Sequence, residues 1–316
     1  MPKNYTLSVI VPTYNCASLI GRHIASMQNW LDLADEIIVV DSQSTDGTNE
    51  LIRQNLHHPN LKIIERPPGL YESWNQAITA TTGKWIYIST AGDVISRQHL
   101  EKLLSEGESH GVDVVISPQR FVDHDGIPII QPTYHNAEIY QDLKGRGIAV
   151  LPPIATHFYA YERGKPNALL GSIAGDLFHG NHLRSRPFPT NYGTHGDTAW
   201  ILRYGRETSL CLLPKGGSDF CIHPKNSTPS EPLGETLQRM YQVESAQNKM
   251  IAEFTAYLFF KRKTSEFWLK KRACNKYSLA VKLGKTLAYL YFRTLLALYE
   301  RKLRSQIKSK IRFFTA

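Results

Sequence analysis

An α/β fold with a largely parallel sheet and helices on both faces is what the sequence predicts, on three observations. Short β-branched and aromatic runs recur at Leu7–Val11, Glu36–Val40, Leu61–Glu65 and Trp85–Ser89. Stretches with helical spacing of apolar residues lie between them. The runs stop at small polar turns carrying Thr13, Asp41 and Asp93, so these residues should share the rim where strands end, which is where open α/β sheets bind ligands.

The elements follow in order. Leu7–Val11 reads as a buried strand stopped by Pro12. Leu19, Ile20, Ile24, Met27 and Leu31 give a helix from Ala17 to about Leu31. Glu36–Val40 is a second strand ending at Asp41, and S-Q-S-T-D-G-T supplies a start for a helix near Thr48–Asn55. Leu61–Glu65 is a third strand, Tyr71–Thr82 a helix ending at Gly83, and Trp85–Ser89 a fourth strand. A helix over Leu100–Gly107 and a strand over Val112–Ser117 come next. Residues 118–195 are looser, rich in Pro, Gly, His and aromatics. Asp197–Arg203 opens a helix, Leu210–Leu213 is a strand, and from about Glu235 the chain reads as helical and basic. The expected organisation is a catalytic-type domain over 1–234, divided near 117, and a basic amphipathic tail over 235–316.

Charge separates the same two parts. Residues 249–316 carry 17 Lys/Arg against 3 Asp/Glu, whereas residues 1–248 carry 20 against 25. A basic tail on an acidic body suits an anionic surface. The tail interleaves Lys261–Lys263, Lys270–Arg272 and Arg301–Arg312 with Tyr257, Phe259, Phe260, Phe267, Trp268, Tyr289, Tyr291 and Phe292. That pattern fits lipid headgroups, with rings at the interface and cations on anionic lipid. A self-association bundle is the alternative use of those apolar residues; no nucleic-acid-binding motif is present and nucleic acid is not expected as a partner. Cys16, Cys211, Cys221 and Cys274 show no C-x-x-C spacing, as in a reducing compartment. Met1–Thr6 holds no leader pattern, and Thr286–Tyr299 is split by Arg293. A cytoplasmic protein held peripherally at the inner face of the cell membrane is the expectation.

Two blocks carry the chemistry of the first half. S-V-I-V-P-T-Y-N at Ser8–Asn15 turns across the sheet edge, and D-E-I-I-V-V-D-S-Q-S-T-D-G-T at Asp35–Thr48 ends a strand on an acid able to accept an imide N–H or ribose hydroxyls. Asp46 in that turn reads as shaping the loop ahead of Gly47. With G-L-Y-E-S-W-N-Q-A-I-T-A-T-T-G-K-W-I-Y-I at Gly69–Ile88, the chain from Leu7 to about Leu104 resembles family 2 of the GT-A-fold glycosyltransferases. The resemblance implies an inverting transfer from a nucleotide-sugar. It assigns the donor to Pro12, Thr13, Tyr14, Asn15, Asp41, Ser44, Tyr71 and Asn75 and to the turn Ala91-Gly92-Asp93.

In that family the strand at Trp85–Ser89 leads into D-x-D, whose carboxylates hold the diphosphate through Mg²⁺ or Mn²⁺. Here Thr90 and Gly92 stand where those acids would be, and Asp93 alone remains. Three readings stay open: Asp93 as the single metal-ligating acid, a weakly held metal aided by basic residues, or Asp93 as a helix cap. The block F-P-T-N-Y-G-T-H-G-D-T-A-W-I-L-R at Phe188–Arg203 resembles the segment bearing the family's general base, which makes Asp197 the candidate. The alternative for Asp197 is a plain N-cap. Gly196 stands where the family often has Glu, so His195 is the reserve base or an acceptor contact, and Trp200 is placed on the acceptor side. His157, His179, His182 and His195, with Tyr159, Tyr161 and Tyr192, either line an acceptor pocket or serve the core and surface. The resulting expectation is transfer of one sugar, from a UDP-sugar, to a lipid-linked or polysaccharide acceptor. The rival is a non-catalytic nucleotide-sugar-binding or scaffold protein of the same fold.

Overall fold

The computed structural model describes residues 5–130, 139–140, 146–160, 169–222, 236, 239–240, 243–244, 301–302 and 304–315. Strands β1 (Leu7–Thr13), β2 (Glu36–Asp41), β3 (Leu61–Glu65) and β4 (Trp85–Ile88) alternate with helices α1 (Ala17–Met27), α2 (Thr48–Asn55) and α3 (Leu70–Thr79). These four strands are parallel, with β1 between β2 and β4. All residues of β1, β2 and β4 are buried, as expected of strands covered on both faces. The helix expected to reach Leu31 stops at Met27, and a 3₁₀ turn at Leu31–Leu33 completes the connection.

The loosely patterned middle adds strands that widen this sheet. After the short β5 (Val94–Ile95) and helix α4 (Arg97–His110) come β6 (Val114–Ile116), β7 (Gln119–Val122), β8 (Ile148–Leu151) and α5 (Pro153–Ala160). Strand β9 (Asp176–His179), α6 (Gly180–Arg184), α7 (Gly196–Tyr204), β10 (Leu210–Leu212) and β11 (Ser218–Cys221) follow. Strand β9 runs antiparallel between β4 and β6, so its first residue lies at the rim where β4 and β6 end. Strands β5, β11 and β7 form a separate three-stranded sheet beside that rim.

The last described stretch departs from an all-helical tail. Residues 304–308 are helical, but Arg312–Phe314 form β12, the antiparallel edge strand beside β8, and the full order is β12-β8-β10-β6-β9-β4-β1-β2-β3. Ile307 and Ile311 are buried in the same core cluster as Trp74, Phe178 and Trp200. The basic Arg301–Arg312 stretch therefore ends on the domain, with Arg312 and Phe314 in register with Val150 and Ile148. The clusters Lys261–Lys263 and Lys270–Arg272, and the tail aromatics from Tyr257 to Phe292, lie outside the described residues. No helix among the described residues is long and apolar enough to cross a membrane.

Candidate active site

The first half of the site is a closed hydrogen-bond net at the ends of β1 and β2. Parallel register sets Thr13 beside Asp41. The Thr13 hydroxyl donates to Asp41 Oδ1 at 2.9 Å, and Ser44 donates its hydroxyl to Oδ1 at 2.6 Å and its N–H to Oδ2 at 2.9 Å. Asn15 N–H donates to Ser44 Oγ at 2.9 Å, and Asn15 Oδ1 accepts from Thr45 N–H at 2.9 Å, so the two loops lock each other. Asn15 and Gln43 hold positive φ (45° and 56°), a conformation that only a closely fitted turn makes worthwhile. Pro12 is buried within β1, and Tyr14 projects from the rim with 56 % of its surface exposed. Asp46 shapes the loop, as expected: its Oδ1 accepts from Thr48 N–H and Oγ–H, and its Oδ2 from Ala17 N–H.

The turn after β4 is built differently. Gly92 has φ 95°, and Asp93 N–H donates to the Thr90 carbonyl at 3.0 Å, which folds Ser89–Asp93 tightly. Ala91 is buried at its apex. Asp93 turns its side chain toward the small sheet, where Oδ1 accepts from Cys221 N–H at 2.9 Å. Its Oδ2 is buried without a partner among the described residues. Burial, and then the charge of Asp219, push this carboxyl well above the usual carboxylate range.

His23, which the sequence reading passed over, clamps this turn from beneath. Its Nδ1 lies 3.0 Å from the Asp93 carbonyl and its Nε2 3.1 Å from Ser89 Oγ. A carbonyl can only accept, so Nδ1 donates, leaving Nε2 to accept the Ser89 hydroxyl. Burial pushes the imidazole down to about 4, which keeps it neutral and preserves both bonds. Because His23 sits on α1, the helix that starts beside Asn15 also fixes both ends of the Asp93 turn.

On the other sheet face, α7 begins at Gly196 and carries Asp197 in its first turn. Asp197 Oδ1 accepts from Thr198 N–H at 2.6 Å, and the Tyr71 side chain lies beside the carboxylate and holds its pKa down. Desolvation outweighs the hydrogen bonding and pushes the group up to about 6, although the residue as a whole is partly exposed. Gly196 has a steric reason for departing from the family's acid. A Cβ there would lie 2.5 Å from both the Tyr71 ring and the Pro189 carbonyl. A glycine at 196 thus follows from the packing of Tyr71 and Pro189, and His195 sits just ahead of Asp197, partly exposed, with its N–H on the Tyr192 carbonyl.

Several candidates serve this half from behind instead of touching donor or acceptor. Tyr71 is buried and packs edge-on to Trp74, with its hydroxyl 3.1 Å from the Thr194 carbonyl. Asn75 spends both ends of its amide on the Phe188 backbone, at 2.8 Å each. Both face α7 and not the β1–β2 cradle, which corrects their placement on the nucleotide. Trp200 is likewise corrected: it is fully buried against Phe178 and Phe188, and its indole N–H donates to the Arg186 carbonyl. An apolar ring filling the core cannot face an acceptor. His179 and His182 sit at the opposite end of β9, where His182 bridges Asp113 and Thr208 at 3.2 and 2.9 Å. Tyr159 and Tyr192 are buried, and Tyr161 lies outside the described residues.

Two more acidic sites were missed. Asp176, first residue of β9, is fully buried with neither oxygen partnered among the described residues, and burial pushes its carboxyl well above the usual range. The signal was in the sequence: S-I-A-G-D at Ser172–Asp176 repeats S-T-A-G-D at Ser89–Asp93. The other is D-H-D at Asp123–Asp125, whose ligand-type atoms all lie within 4.8 Å of one another. There Asp123 Oδ1 already accepts from Asp125 and Ile127 N–H, which makes it a turn former after β7.

Residues 8–167, half of the chain, match glycosyl transferase family 2. The chain belongs to that family. It is similar to the glycosyltransferase AglE of Haloferax volcanii, with 23 % identity over 248 residues, covering 76 % of this chain and 72 % of AglE. It is also similar to the uncharacterized glycosyltransferase MG060 of Mycoplasma genitalium, with 27 % identity over 121 residues, where the match spans 35 % of this chain and 40 % of that relative. The crystal structure of residues 1–349 of S. aureus TarS with UDP-GlcNAc superposes with a TM-score of 0.54 at 18 % identity, covering 88 % of this chain and 77 % of that one. That likeness shows the GT-A fold.

Proposed function

We propose that this protein is an inverting glycosyltransferase that moves one sugar from a UDP-sugar to a hydroxyl of a lipid-linked or polysaccharide acceptor. The observation that carries this reading is Asp197: a partly exposed residue whose carboxyl is raised by desolvation to about 6, on a helix start across the rim from the Thr13–Asp41–Ser44 cradle. A base poised near neutral pH suits removal of a proton from an attacking hydroxyl. As the acceptor oxygen bonds to the anomeric carbon, its proton passes to Asp197 Oδ2, since Oδ1 is engaged by Thr198 N–H. The bond from that carbon to the diphosphate breaks with its electron pair on phosphate. Asp41 Oδ2 keeps one acceptor site free beside Ser44 N–H, suited to an imide N–H, and exposed Tyr14 offers a ring to stack on the base. The TarS structure contains UDP-GlcNAc, which favours a UDP donor here.

The residues present fit a divalent ion of the Mg²⁺ or Mn²⁺ kind. Asp93 Oδ2 is a buried oxygen without a partner, and such ions bind through one or two carboxylates with substrate phosphates completing the shell. Bound there, the ion would neutralise charge on the departing diphosphate. Basic and aromatic residues over 249–300 support peripheral contact with an anionic membrane, where a lipid-linked acceptor is concentrated.

Nucleotide release from UDP- and GDP-sugars, with and without Mn²⁺ and a lipid extract, tests the proposal. Release from one UDP-sugar that needs an acceptor lipid or glycan and disappears in Asp197→Asn is the expected result. Measurable UDP binding with no release from any donor would overturn it in favour of a scaffold.

A further inference from the structure

Strands β4 and β9 are neighbours, and each carries an S-x-A-G-D turn at the same rim. The same hydrogen bond closes both turns, although the positive φ falls at Gly92 in the first and at Ile173 in the second. Asp93 N–H donates to the Thr90 carbonyl at 3.0 Å, and Asp176 N–H to the Ile173 carbonyl at 2.9 Å. The second turn is strained, because Ile173 has φ 69°, which a β-branched residue strongly disfavours. Neighbours hold it in place: the Tyr87 hydroxyl donates to the Ala174 carbonyl at 3.2 Å, and the Ser117 hydroxyl to the Gly175 carbonyl at 3.0 Å. Strain held this way concentrates at sites that position a group for use.

The group positioned is Asp176. Register places it opposite Ile116 and one step beyond the Tyr87–Leu177 pair. Strand alternation then turns it to the Phe178 face of the sheet, the face covered by α7 and Asp197. An acid with both oxygens buried and unpartnered destabilises the free protein. Asp93 turns toward Cys221 and the small sheet, whereas Asp176 lies on the Phe178 face of the large sheet, with Asp197 as its charged neighbour. A group beside the base lies next to the reacting carbon, which is part of the sugar and not of the diphosphate.

We infer that Asp176 is a donor-sugar recognition residue, its carboxyl accepting hydrogen bonds from hydroxyls of the transferred sugar ring at the rim between β4 and β6. This rests on the glycosyltransferase reading above and names the residue that reads the sugar. Two adjacent ring hydroxyls match the two oxygens of one carboxylate, and both then gain the partners they lack.

The test is calorimetric binding of UDP and of the preferred UDP-sugar to wild type, Asp176→Asn and Asp176→Ala, with Mn²⁺ binding followed by electron paramagnetic resonance. The expected result is an unchanged UDP Kd and at least a tenfold weaker UDP-sugar Kd in Asp176→Ala, with Mn²⁺ affinity unchanged. Asp176→Asn, close in shape, keeps the measurement available if the alanine variant does not fold, and should also weaken UDP-sugar binding selectively. Equal weakening of UDP and UDP-sugar, a loss of Mn²⁺ affinity, or no change in a folded variant would each overturn the assignment. Failure of wild type to bind either nucleotide would instead count against the glycosyltransferase reading itself.

Discussion

The two halves of the rim are built on opposite principles. At the ends of β1 and β2, both oxygens of Asp41 are engaged by Thr13 and Ser44, and the loops interlock through Asn15 and Thr45. Across the rim, Asp93 keeps one oxygen and Asp176 keeps two without partners among the described residues, and burial raises Asp93, Asp176 and Asp197 alike. The difference teaches which half is complete before substrate arrives. A satisfied polar network stabilises and rigidifies the fold, whereas unpartnered buried acids destabilise it until a ligand supplies protons, hydroxyls or a cation. On the proposed function, a preorganised nucleotide cradle is thus joined to an unsatisfied reaction half.

The largest expected effect breaks the reaction half alone. Asp197→Asn should lower the transfer rate by roughly 10²- to 10⁴-fold, the usual contribution of a general base, while UDP affinity stays unchanged. Steady-state rates beside calorimetry read this. A parallel loss of UDP binding would mean that the halves are not separable.

Next comes the support of the base helix. Glu244, fully buried, accepts from Arg203 Nε at 2.7 Å, from the Arg203 guanidinium again at 2.8 Å, and from the Tyr192 hydroxyl at 2.7 Å. Removing one partner of such a pair leaves an uncompensated buried charge, so Arg203→Ala should cost about 3–5 kcal/mol in chemical denaturation. A loss under 1 kcal/mol would show the pair to be dispensable.

The His23 clamp sharpens the contrast, because it ties the two halves through α1. His23→Ala strips partners from the Asp93 carbonyl and Ser89 hydroxyl and should cost about 1–3 kcal/mol. His23→Gln, which can donate from one end and accept at the other, should recover part of that loss. Equal damage from both variants would assign His23 to packing instead of hydrogen bonding.

The smallest effect is the pH dependence. Transfer should rise with pH along a limb centred near 6, as Asp197 ionises. Stability should run the other way. Asp197 binds its proton more tightly folded than unfolded, so its share of stability is full at low pH and falls as pH rises toward 6. Thermal melts between pH 5 and 7 in the wild type and Asp197→Asn isolate that share, which should vanish in the variant.

Much of the first half was legible because its signals are local. Periodicity located β1 to β4, and the acids ending β2 and the Ser89–Asp93 turn stand at the rim where parallel strands end. The helix start that carries Asp197 was also legible, and the crowding of Gly196 by Tyr71 gives a reason for the glycine that stands before it. What was not legible depends on distant packing. Tyr71 and Asn75 carry the resemblance to the family, yet the structure turns them toward Thr194 and Phe188, over a hundred residues later in the chain. Strand β12 is three residues in a basic stretch and gains its strand character from β8. Asp176 has a local signal in the repeated S-x-A-G-D, but its place at the rim comes from a short antiparallel strand inserted between β4 and β6, which that repeat alone does not announce.

One pair of thermal melts tests the contrast between the halves most directly. Asp41→Asn and Asp176→Asn remove one carboxylate from each half with almost no change in shape. In the ligand-free protein at pH 7, Asp41→Asn should lower Tm, since an amide nitrogen replaces one of two oxygens bound by Thr13 and Ser44 donors. Asp176→Asn should raise Tm by removing a buried acid without partners. A lower Tm for both, or a higher one for Asp41→Asn, would contradict the division into a satisfied cradle and an unsatisfied reaction half.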